Sequence, residues 1–127
     1  MADGTFATAI NCMDGRVQQP VINFLRRNYD VDYVDMITEA GPDGLIASGS
    51  ALIENIRNRV AISVEKHGSS VILIAGHCYC AGNPVSDDEH KEHIRRSVEA
   101  VRSWGYPADV IGAWIGEDWK VEIIVEE

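Results

Sequence analysis

The chain has 127 residues, of which 46% are hydrophobic, and carries a formal net charge of -9 at pH 7; this size predicts one domain, residues 1–127, with a single core. The acidic balance argues against nucleic acid and anionic membranes as partners, because both are bound mainly through lysine and arginine. With no apolar run of roughly 18 to 20 residues and no secretory signal pattern, we expect a cytoplasmic protein.

Strand and helix patterns alternate along the chain. The predicted elements are, in order, a strand at 6–11, a helix at 17–28, a strand at 31–38, a loop at 39–44, a helix at 48–67, a strand at 71–75, a helix from the capping residue Ser86 to about Trp104, and strands at 109–115 and 120–125. This alternation predicts an α/β fold, in which a mostly parallel central sheet has helices on both faces and an antiparallel strand at its C-terminal edge.

Thiols and an imidazole are concentrated at two strand ends. Cys12 follows the first predicted strand, and His77 and Cys80 follow the third. Open α/β sheets bind ligands beyond the carboxyl ends of their strands, where the strand order reverses, so these side chains converge if the two strands are neighbours. Two thiolates and an imidazole are a zinc ligand set with a fourth position open to water. An odd count of three cysteines also favours free thiols or metal ligands over disulfides.

Asp14 and Arg16 lie two and four residues beyond Cys12. A carboxylate there can accept a hydrogen bond from a zinc-bound water, or can itself take the fourth position, and an arginine can hold that carboxylate in one orientation. Both arrangements of Asp14 remain open. Cys78 lies between His77 and Cys80, and we expect it to be a structural or redox spectator, since the spacing disfavours coordination by both cysteines.

The remaining histidines and the tryptophans have simpler interpretations. His90 and His93 are expected on a solvated face of the capped helix, among acidic and basic neighbours. His67 is expected to interact with the C-terminal end of a helix dipole. The tryptophans are expected to be core or interface residues; they are Trp104, Trp114 and Trp119.

Both segments resemble motifs of a known family. Cys12-Met-Asp14-Gly-Arg16 resembles the Cys-x-Asp-x-Arg motif, and His77-Cys-Tyr-Cys80 the His-x-x-Cys motif, of β-class carbonic anhydrases. These are zinc enzymes that interconvert carbon dioxide and bicarbonate. The resemblance covers roughly residues 5 to 126, including the order of elements and the terminal hairpin, and the two motifs are specific only as a pair.

The resemblance implies a lyase, carbonate dehydratase, in which a zinc-bound hydroxide reversibly hydrates carbon dioxide to bicarbonate. It implies central strands in the order 2-1-3-4 and a homodimer or higher homo-oligomer. The residue roles that it implies are zinc binding by Cys12, His77 and Cys80, a catalytic dyad of Asp14 and Arg16, and a substrate-bordering backbone at Ala40 and Gly41. Two alternatives stay open: a hydrolase of the same fold acting on carbonyl sulfide or carbon disulfide, and a zinc-binding homologue without catalysis.

The chain departs from the family pattern at two places near these motifs. The family usually has Ala-Gly-Asn after the second strand, where this chain has Ala40-Gly41-Pro42. The glycine that usually follows the last zinc-binding cysteine is replaced by Ala81, with Gly82 one residue later. These differences bear on substrate identity and rate more than on metal binding.

Overall fold

The computed structural model describes residues 3–126, in which five strands form one sheet. The strands are β1 (Phe6–Cys12), β2 (Tyr33–Glu39), β3 (Val71–His77), β4 (Asp109–Ile115) and β5 (Val121–Val125). Their order is β2-β1-β3-β4-β5, with the first four parallel and β5 antiparallel to β4. The predicted order 2-1-3-4 and the antiparallel edge strand are therefore confirmed.

Helices cover both faces of the sheet, as predicted. A 3-10 turn at Gly15–Val17 leads into α1 (Gln18–Asn28), and the others are α2 (Pro42–Ala47), α3 (Ile53–Ala61), which continues as a π-helical turn at Ile62–Lys66, and α4 (Asp87–Arg102). Residues of β3 alternate between two apolar clusters, one shared with α1 and the other with α2, α3 and α4. Strand β3 is thus buried on both faces, which its run of apolar side chains requires. No helix within residues 3–126 is long and apolar enough to cross a membrane.

Two predicted boundaries are wrong. The segment 39–44, expected to be a loop, contains the start of α2, because Pro42 occupies the first helical turn, where its missing N–H costs nothing. The helix expected over 48–67 begins only at Ile53, after a turn, and ends in the π-helical segment at Lys66. The predicted cap at Ser86 is confirmed, since its hydroxyl accepts a hydrogen bond from the Glu89 amide.

The expected solvated position of His90 is also wrong. His90 is only 2% exposed, because it continues the buried stripe of α4 that Ile94 and Val98 form at intervals of four residues. Its Nδ1 lies 2.7 Å from Oδ2 of the fully buried Asp43, which supplies the partner that a buried imidazole needs.

Two other histidines, one in α4 and one after the π-helical turn, and the three tryptophans lie in different surroundings. His93, at the same end of α4, is half-buried. His67 follows the π-helical turn, but its Nδ1 lies 2.7 Å from a carboxylate oxygen of Asp35, so its partner is a side chain rather than the helix end. Trp114 lies in the core, and Trp104 and Trp119 pack against it.

Candidate metal centre

The carboxyl ends of β1 and β3 bring the three proposed ligands together. The two strands are parallel neighbours with Ile10 paired to Ile74, so Cys12 and His77 leave the same edge of the sheet. Tyr79 then takes a left-handed conformation with φ of 56°, and the chain turns back so that Cys80 faces Cys12. The candidate ligand atoms of Cys12, His77 and Cys80 all lie within 4.8 Å of one another.

These three side chains fit a zinc ion. All are buried, and the Cys12 and Cys80 sulfurs lie 3.8 Å apart; zinc with Zn–S bonds of about 2.3 Å and tetrahedral angles separates two thiolates by about 3.8 Å. Nδ1 of His77 lies 2.7 Å from the Cys78 carbonyl oxygen, to which it donates. In this tautomer Nε2 is unprotonated and has a free lone pair, and it has no hydrogen-bond partner among residues 3–126. A buried unpaired nitrogen is costly, and a metal ion would satisfy it.

Of the two cysteines Cys12 and Cys80, the surroundings favour the thiolate form of Cys12. The hydrogen bond from Cys80 lowers the pKa of Cys12, and the nearby His77 imidazole and the backbone N–H groups of Asp14 and Gly41 lower it further, which together outweigh burial. The same hydrogen bond, together with burial, raises the pKa of Cys80. Because the thiolate is the form that binds metal, Cys12 is ready to accept zinc, and Cys80 must lose its proton as the ion binds.

Asp14 and Arg16 form a two-pronged ion pair beside Cys12. Asp14 caps the 3-10 turn, with Oδ1 accepting from the Arg16 backbone N–H at 2.9 Å. Nε of Arg16 lies 3.0 Å from Oδ1 and Nη2 lies 2.7 Å from Oδ2. This guanidinium lowers the pKa of Asp14 to about 2, so the carboxylate is ionised near neutral pH.

Gln18 supports this loop, although its role was not predicted. Its Nε2 donates to the carbonyl oxygens of Cys12 at 2.7 Å and of Asp14 at 2.8 Å. The side chain therefore closes the loop between the first candidate ligand and the carboxylate. In the sequence, its role was indicated only by its position six residues after Cys12, at the start of a helix. A surface glutamine can occupy the same position, so this position did not identify the role.

The segments that depart from the family pattern pack directly against each other. Gly41 has φ of 62°, and a β-carbon there would lie 2.7 Å from Cβ of Asn83. A β-carbon at Gly82 would lie 2.5 Å from the carbonyl carbon of Ala40. Only glycine, which has no side chain, allows this approach, so glycine is needed at positions 41 and 82. The predicted substrate contact of Ala40 and Gly41 stays a prediction.

A buried polar cluster lies behind the end of β3. Nδ2 of Asn83 donates to Oδ2 of Asp43 at 3.3 Å and to Nδ1 of His93 at 3.0 Å, and Asp43 also pairs with His90. A β-carbon at Gly76, the residue before His77, would lie 2.9 Å from Oδ2 of Asp43. The cluster therefore packs directly against the strand end that carries His77.

Cys78 points away from the three candidate ligands. Its side chain belongs to the apolar cluster shared with α4, whereas Cys12 and Cys80 belong to the cluster on the α1 face. Its backbone N–H donates to the Ile115 carbonyl at 2.9 Å, which extends the pairing of β3 with β4. Burial raises the pKa of the Cys78 thiol. These surroundings agree with the spectator role expected for it.

Known proteins resemble this chain in sequence pattern and in fold. A family model described as "Putative carbonic anhydrase" matches residues 2–125. No curated protein matches the sequence significantly. Among solved structures, one from a study of two tetrameric β-carbonic anhydrases of the filamentous ascomycete Sordaria macrospora has a similar fold, with a TM-score of 0.59 and 14% sequence identity, covering 97% of this chain and 82% of that one. The fold agrees with the family model, which matches nearly the whole chain, and the chain therefore belongs to this carbonic anhydrase family.

Proposed function

We propose that this protein is a zinc-dependent carbonic anhydrase that reversibly hydrates carbon dioxide to bicarbonate. The observation that carries the proposal is the convergence, at one sheet edge, of two buried sulfurs and of the His77 Nε2, which has no hydrogen-bond partner in the described part of the chain. Membership of the carbonic anhydrase family supports a lyase-type reaction at this edge.

Three of the chain's own residues would hold a zinc ion, and its fourth position would be open to water. Bound zinc would lower the pKa of a water molecule, so that hydroxide is available near neutral pH. Cys12, His77 and Cys80 supply three ligands, and the Cys78 carbonyl fixes the tautomer and ring orientation of His77. Because the two thiolates offset the charge of zinc, this water is expected to be less acidic than at an all-histidine site, and the neighbouring residues matter more.

Asp14 and Arg16 orient the reactants in this proposal. The Asp14 carboxylate stays ionised above about pH 2, so at neutral pH it is a hydrogen-bond acceptor for the reacting water. The forked contact with Arg16 keeps the carboxylate in one orientation. The backbone at Ala40 and Gly41 would border the substrate, since the Gly41 backbone N–H lies beside the Cys12 sulfur.

We also propose that residues 1–127 form one domain. We propose further that this chain assembles as a homodimer or a larger homo-oligomer. The enzymes in the Sordaria macrospora study are tetrameric. Strand β2 is an edge strand of the sheet, and the backbone groups of an edge strand are available to pair with a strand of a second copy. The cytoplasmic location stays a prediction.

Metal analysis and two activity assays test the function. Protein purified without chelators should contain one zinc per chain, and stopped-flow mixing with carbon dioxide should show rapid proton release that dipicolinate abolishes and added zinc restores. Sulfide release from carbonyl sulfide or carbon disulfide is measured in parallel. Sulfide release without hydration would replace the proposed reaction by the hydrolase alternative. Inactivity in both assays with zinc bound would leave a non-catalytic zinc protein, and absence of zinc would contradict all three.

A further inference from the structure

The turn between β4 and β5 holds a tryptophan in an unusual conformation. The Trp119 backbone N–H donates to the Gly116 carbonyl at 3.0 Å, and Trp119 has φ of 59°. Left-handed backbone is uncommon for residues other than glycine, above all for bulky ones, and it costs free energy that surrounding contacts must offset. The location of the Trp119 ring shows what this conformation achieves.

The ring lies over the guanidinium of Arg16. Cζ of Arg16 is 4.7 Å from the ring centroid of Trp119, within the range of a cation–π contact. The same indole lies 6.4 Å, centroid to centroid, from the His77 imidazole. Trp119 therefore reaches from the proposed dyad to a proposed zinc ligand.

The rest of the turn is tied to the loop that carries Cys80. The Tyr79 hydroxyl donates to the Glu117 carboxylate, and the Tyr79 carbonyl accepts from Nη2 of Arg16 at 3.3 Å. Arg16 is thus restrained by Asp14, by a backbone carbonyl and by an aromatic face. Its side chain is nevertheless 50% exposed, so without the ring one face of the guanidinium would be solvated and free to reorient.

We propose that Trp119 is a positioning residue for Arg16 and, through it, for the Asp14 carboxylate. The proposal rests on the proposed function, in which that carboxylate accepts a hydrogen bond from the reacting water. Strain in the turn is offset by the contacts of Glu117 and Trp119 with the metal-site loops, so the terminal hairpin completes the site. A purely structural Trp119 would instead fill space between the two apolar clusters that it touches.

The first test does not depend on activity. In the protein as purified, the ring current of Trp119 should shift the Arg16 Nε–Hε NMR signal, which is assigned by its loss in Arg16→Lys. The shift should persist in Trp119→Phe and vanish in Trp119→Leu, which keeps apolar bulk. A signal that is equal in all three proteins would overturn the proposal.

The second test is a double-mutant cycle on kcat. Trp119→Leu should lower kcat by about 3- to 10-fold with little change in KM and in zinc content, while Trp119→Phe retains most of the rate. In an Arg16→Ala background, Trp119→Leu should have no further effect, because the residue it positions is absent. An equal loss in both backgrounds would show a structural role and contradict the proposal.

A matched control is available in Trp104, whose ring lies 5.6 Å from Cζ of Arg57. Trp104→Leu removes the same type of contact elsewhere and should leave kcat unchanged. Circular dichroism and the unfolding midpoint identify any variant that fails to fold, and if Trp119→Leu does so, Trp119→Met, a second non-aromatic variant, carries the test. If the wild type shows no hydration, the proposed function fails, and the Arg16 NMR signal alone decides whether Trp119 fixes the guanidinium.

Discussion

The sulfur atoms of Cys12 and Cys80 lie 3.8 Å apart although 68 residues separate them in sequence. Two loops that leave different strands must both be ordered to create this distance. A metal ion that binds both sulfurs would therefore bind the folded chain far better than the unfolded chain. Its binding free energy would add to the free energy of unfolding.

We expect Cys80→Ala and Cys78→Ala to have different effects. Cys80→Ala should abolish stoichiometric zinc and remove the chelator-sensitive part of the stability, because one of three ligands is lost. Cys78→Ala should keep one zinc per chain and lower the free energy of unfolding by roughly 1 kcal/mol, since it removes a buried sulfur away from the centre. Elemental analysis and thermal melts with and without dipicolinate measure both effects. Zinc loss in Cys78→Ala would reverse the assignment.

Gly82→Ala tests the close approach of the two loops. The new β-carbon would lie 2.5 Å from the carbonyl carbon of Ala40, so the backbone must shift. We expect the free energy of unfolding to fall by roughly 1–3 kcal/mol and zinc affinity to fall with it, because Cys80 is two residues away. Gly15→Ala is the control, since a β-carbon at Gly15 would meet no atom within 4 Å beyond its chain neighbours. Denaturant titrations measure the free energy of unfolding, and competition with a zinc chelator measures zinc affinity. If the contact were unimportant, Gly82→Ala and Gly15→Ala would have equal effects on both.

Asp43→Ala tests the buried cluster behind His77. The substitution leaves the imidazole of His90 and the amide of Asn83 without their shared partner in the interior. We expect a loss of roughly 2–4 kcal/mol in the free energy of unfolding. Asp43→Asn should lose less, because its amide oxygen can still accept from His90. Glu99→Ala, on the exposed face of α4, the helix that carries His90, should change stability little; similar losses for Asp43→Ala and Glu99→Ala would contradict a role for the cluster.

The alternation of strands and helices and the candidate ligands could be predicted because their signals are local and uncommon, whereas the strand order was implied only by the resemblance to β-class carbonic anhydrases. The apolar run of β3 is too short for a helix, and two cysteines with a histidine at its end narrow the chemistry to soft metal ligands. Helix α2 was missed because Pro42-Asp43-Gly44 has the composition of a turn. Tertiary contacts hold this six-residue helix in place, including the Ser97 hydroxyl, which donates to the Asp43 carbonyl at 3.0 Å.

Two side chains show a second limit of sequence reasoning. His90 lies on the stripe of Ile94 and Val98, and that spacing was visible, but the charged residues around it outweighed the pattern. The contact of Trp119 with Arg16 depends on a left-handed backbone at Trp119. No local pattern indicates such a conformation for tryptophan, so this contact required the three-dimensional structure.

Asp14→Ala should remove most of the hydration activity while zinc stays bound. The carboxylate is not needed to complete the three-ligand set, but in the proposed function it accepts the hydrogen bond that orients the reacting water. We expect kcat to fall by roughly 100-fold, the scale of losing a positioned acid–base group. Full activity in this variant, with one zinc per chain, would remove Asp14 from the mechanism. Arg16→Ala should lose less, because the acceptor remains.

The Asp14–Arg16 pair also predicts a pH dependence of stability. Arg16 lowers the pKa of Asp14 from 3.8 to about 2, so the folded chain holds this proton less tightly than the unfolded chain. The stabilisation is therefore fully present above about pH 4 and is lost as the pH falls through about 2. Since the Arg16 side chain is 50% exposed, solvent screening limits the effect, which we expect to be under about 1 kcal/mol. Denaturant titrations of zinc-free wild type and Asp14→Asn should differ by a constant amount above about pH 5 and converge towards pH 2. If the two proteins differed in free energy of unfolding by the same amount at about pH 5 and about pH 2, the ion pair would not stabilise the fold.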